Sequence, residues 1–196
     1  MAYNYKDVFY LSATHETTNS TYGSASVEGI VPLDVSAYVD PIARGKTRGT
    51  GLALYRVHMD ASNTSIGQTM SVTQDGAMRT GLTVKEYATT GDAVSGIGGD
   101  QLTCGSDLLA WGADFVGSTN ASPSTTNVTV NSLPDINVFV APSDEVPYII
   151  VRDSLNWLFM SGAALSADIH WSIRLECAQV TLDTNTLNQL LRTQTA

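Results

Sequence analysis

The chain has 196 residues, a formal net charge of −9 and only 15% charged side chains, against roughly 25% in an ordinary soluble domain. Its polarity comes instead from 23 Thr and 19 Ser beside 16 Gly, and 43% hydrophobic residues exclude a disordered chain and supply a buried core. An isoelectric point near 4.5 excludes a surface built to neutralise phosphates, and no stretch reaches the roughly 18 apolar residues of a membrane span.

In chain order the signals are strand-like and short, with turn residues between them. Residues 7–11 form the first apolar run, and 27–39 the second, broken by Pro32 and ending at Asp40-Pro41. Residues 51–59 alternate, with Leu52, Leu54 and Arg56 on one face and Ala53, Tyr55, Val57 and Met59 on the other. A run over 68–74 stops at Asp75-Gly76, a hairpin dipeptide, and 82–88 alternates again. Residues 89–105 carry Gly91, Gly96, Gly98, Gly99 and Gly105 and read as a long surface loop. Residues 108–116, with Trp111 and Phe115, fit a strand or a short helix; 117–127 is a second polar loop. Residues 127–133 and 136–141 are the next extended runs.

The last third is clearest. Residues 147–152 and 156–161 flank Asp153-Ser154 and predict a hairpin of apolar strands. Residues 168–180 place Ile169, Trp171, Ile173, Leu175 and Cys177 on one face and Asp168, His170, Ser172, Arg174 and Glu176 on the other. That pattern belongs to an antiparallel sheet with one wet side. Residues 184–194 predict one helix, with Leu187, Leu190 and Leu191 on one stripe and Asp183 or Thr184 as N-cap. So short a helix is marginal in water and must dock on something. Strands without βαβ alternation predict an all-β fold: one antiparallel β-sandwich domain over 1–196, with long Gly/Ser/Thr-rich loops and a short C-terminal helix.

Motifs for chemistry fail on inspection. Gly45-Lys46-Thr47 lacks the upstream glycine of a phosphate-binding loop, because position 40 is Asp. His15-Glu16 begins like a zinc protease helix, but position 19 is Asn. His15, His58 and His170 form no His-x-His pair, and the loop carboxylates Asp92, Asp100, Asp107 and Asp114 lack calcium-loop spacing. The two cysteines, Cys104 and Cys177, show no CxxC spacing and predict no disulfide framework. No catalytic, metal or cofactor residues are therefore expected, and the four Asn-x-Ser/Thr sequons at Asn19, Asn63, Asn120 and Asn127 follow from composition. The N-terminus has no apolar signal region, which predicts synthesis in the cytoplasm.

What remains points to assembly. Tyr3, Tyr5, Phe9 and Tyr10 near the start and Leu187, Leu190 and Leu191 near the end read as arms toward partners. Arg44, Lys46, Arg48 and Arg56 hold four of the ten basic residues, and in an acidic protein they suit the surface of another copy.

Taken together, the length, the strand density, the Thr/Ser/Gly-rich loops and the closing run from Val146-Pro-Tyr-Ile-Ile-Val-Arg to Ile173-Arg-Leu-Glu-Cys resemble the single jelly-roll capsid proteins of icosahedral bacterial and archaeal viruses. The resemblance is architectural and spans the whole chain. It implies an eight-stranded double sheet, self-assembly into a virion shell, and no enzymatic activity. It also implies as partners copies of the chain, other virion proteins and an internal membrane surface. A basic genome-binding arm, common in such proteins, is missing, so no direct sequence-specific nucleic-acid contact is expected. The competing readings are another virion part (tail tube, spike or decoration protein), a carbohydrate-binding β-sandwich using Trp111, Trp157 or Trp171, and a β-sandwich or barrel enzyme with dispersed carboxylates.

Overall fold

The computed structural model describes residues 4–5, 7–23, 27–40, 48–63, 76–85, 108–117, 137–138, 147–165 and 168–195. In chain order these form β1 (Asn4–Tyr5), β2 (Phe9–Thr17), the short helix α1 (Asn19–Tyr22), β3 (Glu28–Asp34), β4 (Arg48–Asn63), β5 (Gly76–Thr83) and β6 (Leu108–Gly117). After these come β7 (Asn137–Val138), β8 (Tyr148–Ile150), β9 (Ser154–Ala163), β10 (Ile169–Asp183) and the C-terminal helix α2 (Thr184–Thr195). The expected 68–74 and 127–133 runs, and the 89–105 loop, lie outside the described residues. Residues 108–116, open between strand and helix in the sequence, are strand.

Two antiparallel sheets result. In the first, β10 runs between β4 on one side and β2 with β1 on the other, and β4 pairs β7 and β8 at its far edge. The second sheet has the order β3-β9-β5-β6. The pairing is nested: β2 joins β10, β3 joins β9, β4 joins β8, and β5 joins β6. The first half of the chain is therefore paired, from the outside inward, with the second half returning. Lateral pairs β10–β4 and β9–β5 knit these four couples into the two sheets. The all-β antiparallel sandwich expected from strand density is the observed architecture.

Between the sheets lies the main core, which includes Trp157, Phe159, Trp171, Leu52, Leu54, Leu82, Ile169 and Ile173, all at or near zero exposure. One sequence expectation fails here. Strict alternation put Val57 and Met59 on the face opposite Leu52 and Leu54, but all four are core residues. The ladder slips at this point: Glu176 faces Arg56 while Cys177 faces Leu54, leaving Tyr55 as an extra residue. A bulge of this kind inverts the parity of a strand, so the apolar residues on both sides of Tyr55 reach one core.

The expected hairpin around Asp153-Ser154 is also corrected. β8 pairs β4 in the first sheet, and β9 pairs β3 and β5 in the second, so residues 151–153 form a corner that passes between sheets. The residues are apolar on both sides because Ile150 and Val151 face two different cores. No hairpin partner is needed: the Val151 N–H donates to Gln194 Oε1 at 3.1 Å, and the Asp153 carbonyl accepts from the Val35 N–H at 2.8 Å. Pro32 sits within β3, the edge of its sheet. Val27 donates its N–H to Ser161 Oγ of β9 and Val35 to the Asp153 carbonyl just before it; by alternation position 32 aims outward, where a missing donor costs nothing.

β10 runs on to Asp183, past the expected end at Val180, and its outer face changes character along its length. His170, Ser172 and Arg174 are exposed, whereas Ala178, Val180 and Leu182 are buried. The second half is covered by α2, whose Leu187 joins Ala53, Ile149, Val151, Val180 and Leu182 in a second apolar cluster. Asp183 caps the helix by accepting the Thr186 N–H at 2.9 Å.

Candidate interaction surfaces

The residues expected to meet partners fall in three places. Tyr3, Arg44 and Lys46 lie outside the described residues. Asp40 and Thr50 exchange two backbone hydrogen bonds, at 2.9 and 3.1 Å, so the stem of the basic segment is closed, and exposed Arg48 opens β4 opposite Asp183. Tyr5 is paired along the backbone with Val180 of its own sheet. Leu187 is 4% exposed against that same sheet, with half-buried Leu190 and Leu191 packed beside it. Leu187 thus covers an apolar patch of its own chain, and Gly49 is its seat: a Cβ there would lie 2.7 Å from Leu187 Cδ2.

Two tryptophans raised as sugar platforms are interior. Trp157 and Trp171 are 0% and 1% exposed, and each spends its indole N–H inside the fold. Trp157 donates to Thr80 Oγ1 at 2.6 Å, and Thr80 donates on to the Leu158 carbonyl at 2.8 Å. Trp171 donates to Thr17 Oγ1 at 2.8 Å, and Thr17 donates on to the Ile169 carbonyl at 3.3 Å. Each sheet therefore carries the same relay of indole, hydroxyl and carbonyl. The side chain of Trp111 lies outside the described residues.

The histidines separate by face. His15 is half-buried on the inner side of β2, its ring 4.9 Å from Phe159 and 6.4 Å from Trp157. Desolvation holds its imidazole below the usual histidine range, and the Glu16 carboxylate partly opposes this. His170 reaches Glu16 at 3.8 Å on the outer face. Asp92, Asp100 and Asp107 lie outside the described residues, and the side chain of Asp114 is not described. Among the described residues no three His, Cys, Asp or Glu side chains converge. Cys177 is buried as a free thiol, and desolvation first, then Glu176, pushes its pKa up to about 12; such a thiol is no nucleophile at neutral pH.

Among the described residues two concave regions stand out. An apolar cleft of about 390 Å³ opens at one side of the sandwich, between Leu11 and Ala13 of β2 and Leu33 and Val35 at the end of β3. A larger groove of about 670 Å³ runs over the outer face of the first sheet. Its shape follows from side-chain length. Ser172 on β10 has Thr14 and Asp60 across the two ladders, and Arg174 has Ser12 and His58. Short hydroxyl residues form the floor while long side chains stand at the rim. At one end Arg174 lies over the Tyr10 ring, 5.8 Å from its centroid; past the other end stand Glu16 and His170. The sequence shows the polar face of β10, but not which strands flank it, so the grouping of Tyr10, His58, Asp60 and Arg174 is invisible in it.

Among the described residues no helix is long and apolar enough to cross a membrane. No family model matches the chain, and no curated protein matches it.

Proposed function

We propose that the chain is a structural protein of a virion, a single jelly roll whose copies assemble into a capsid shell. The observation that carries this reading is the nested pairing of β2 with β10, β3 with β9, β4 with β8 and β5 with β6. A long antiparallel couple folded back so that its four pairs alternate between two sheets is the plan of the eight-stranded jelly roll, an architecture of viral capsid and lectin domains and of cupins. The short β1 and β7 lie outside this eight and extend the first sheet at its two edges.

The hydroxyl-rich, charge-poor composition supports the same reading, since shell subunits meet their neighbours over most of their sides. The interior placement of Trp157 and Trp171 takes two of the three tryptophans away from a sugar-binding module. In this reading the partners are further copies and other virion proteins, and an internal membrane surface takes the place of a basic genome-binding arm.

Size-exclusion chromatography and negative-stain electron microscopy of the purified chain test the proposal. Closed shells or regular capsomer rings are the expected result. A monomer that persists at high concentration across several salts overturns it, and tubes or isolated trimeric knobs redirect it to another virion component.

A further inference from the structure

We propose that the groove on the outer face of the first sheet is a binding site for an acidic saccharide. Three features of the groove select this chemistry. Its floor presents the hydroxyls of Ser12, Thr14 and Ser172, each both donor and acceptor, which suits a ligand that is itself a row of hydroxyls. At the rim the Arg174 guanidinium is exposed, and among the described residues no carboxylate lies within ion-pair distance of it; a planar fork of donors is the preferred partner of a carboxylate. The guanidinium lies over the Tyr10 ring, which is 62% exposed, so the part of the ring it leaves uncovered offers an apolar surface for the C–H face of a sugar ring while the sugar hydroxyls reach the floor. His58 and Asp60 close the β4 side; the Asp60 carboxylate stands across from Ser172, one same-face pair along the ladder from Arg174, and its charge directs a ligand carboxylate to the Arg174 end.

The volume of about 670 Å³ falls within the range of roughly 300–1,000 Å³ typical of small-ligand clefts. The backbone beneath the groove is three hydrogen-bonded strands, so the ordering cost of binding falls on side chains, chiefly exposed Arg174. Neutral sugars would use the floor and Tyr10 alone. A carboxylate on the sugar adds the guanidinium, and this contact sets the preference. The apolar cleft between β2 and β3 has no comparable set of polar groups. The proposal does not depend on the assembly reading, because every residue of the groove belongs to one copy.

The test uses an array of uronic-acid- and sialic-acid-bearing oligosaccharides beside their neutral counterparts, followed by calorimetry with the best acidic probe, its neutral counterpart and sodium acetate. The expected result is at least one acidic probe bound about tenfold or more tightly than its neutral counterpart, with acetate failing to compete at the same concentration. Arg174→Ala should erase the acidic preference and leave weak binding of the neutral sugar. Ser172→Tyr, which fills the floor from an exposed position of β10, should abolish both. Far-ultraviolet circular dichroism establishes that the variants remain folded. The proposal is overturned if no acidic probe exceeds its neutral counterpart, if Arg174→Ala leaves the preference intact, or if acetate competes as well as the saccharide, which reduces the site to an anion contact. Electron microscopy on the same preparations reads assembly separately, so a failure of one proposal is distinguishable from a failure of the other.

Discussion

At the scale of single residues, the threonines do two jobs that composition alone does not separate. Among the described residues Thr14, Thr21, Thr184 and Thr193 stand exposed, but Thr17 and Thr80 are fully buried because the indole N–H of a core tryptophan needs an acceptor away from water. Removing the hydroxyl of Thr80 while keeping its shape orphans that donor. Thr80→Val is therefore expected to cost about 1–3 kcal/mol in urea unfolding. In Trp157→Phe the loss from Thr80→Val should be smaller, because no indole remains to be satisfied; equal losses in both backgrounds would show that the relay contributes nothing. His15 makes a pH-dependent counterpart. Its folded-state pKa is depressed by desolvation, so above the ordinary value of about 6.5 it is neutral in both states and has no pH effect. As pH falls through that value the unfolded chain takes up a proton that the folded chain resists, and stability drops until the folded-state pKa is passed. Thermal unfolding at pH 7.5 and 5.5 should show a larger decline in the native chain than in His15→Phe. The depressed carboxylate of Asp183, which accepts from the Thr186 N–H and hydroxyl, acts only at lower pH, from about 4 downward.

At the scale of elements, strand periodicity located most of the described strands and the helix, but it set a turn at Asp75-Gly76 and a strand over 82–88 where β5 runs over Gly76–Thr83, and it failed at two further points. Alternation is a local rule, and it broke at Tyr55 because a bulge is decided by the partner strand. It also predicted a hairpin at Asp153-Ser154, because two apolar runs joined by turn residues look alike whether they pair with each other or pass between sheets. The nearest signal for the corner is the change on the outer face of β10, from His170, Ser172 and Arg174 to Ala178, Val180 and Leu182. That change marks where something must cover the sheet, and the leucines of α2 follow at once. The helix also holds the corner. Buried Gln194 accepts the Val151 N–H and donates to the Ile149 carbonyl at 2.6 Å, replacing the strand partner those groups lack. Deleting residues 184–196 thus uncovers an apolar cluster and two backbone groups, and it should destabilise the sandwich itself as well as any contact between copies. Gln194→Ala is expected to cost about 1–3 kcal/mol and Leu187→Ala about 2–5 kcal/mol, both read by chemical denaturation. Losses below about 0.5 kcal/mol for both would place the helix outside the folding unit.

At the scale of the whole molecule, acidity and assembly pull in opposite directions. Each copy carries a formal charge of −9, and bringing many copies together concentrates that charge, a self-repulsion that contacts must overcome. With only 15% charged residues the cost is spread thinly, and a Debye length of about 8 Å at physiological ionic strength confines it to charges near the contacts. The outer face of the first sheet adds little of it, since Arg56 and Arg174 stand among Glu16, Asp60 and Glu176. If the chain forms shells, raising sodium chloride from about 10 mM, where the Debye length is about 30 Å, to about 1 M, where it is about 3 Å, should increase the assembled fraction in sedimentation velocity. Lowering pH toward the isoelectric point near 4.5 should do the same for the same reason, down to the pH at which protonation of His15 weakens the subunit. Shells that instead dissociate as salt rises would show that the contacts are ion pairs between copies. In that case the basic residues Arg44, Lys46 and Arg48 would be the first to substitute, because they carry the positive charge such pairs require.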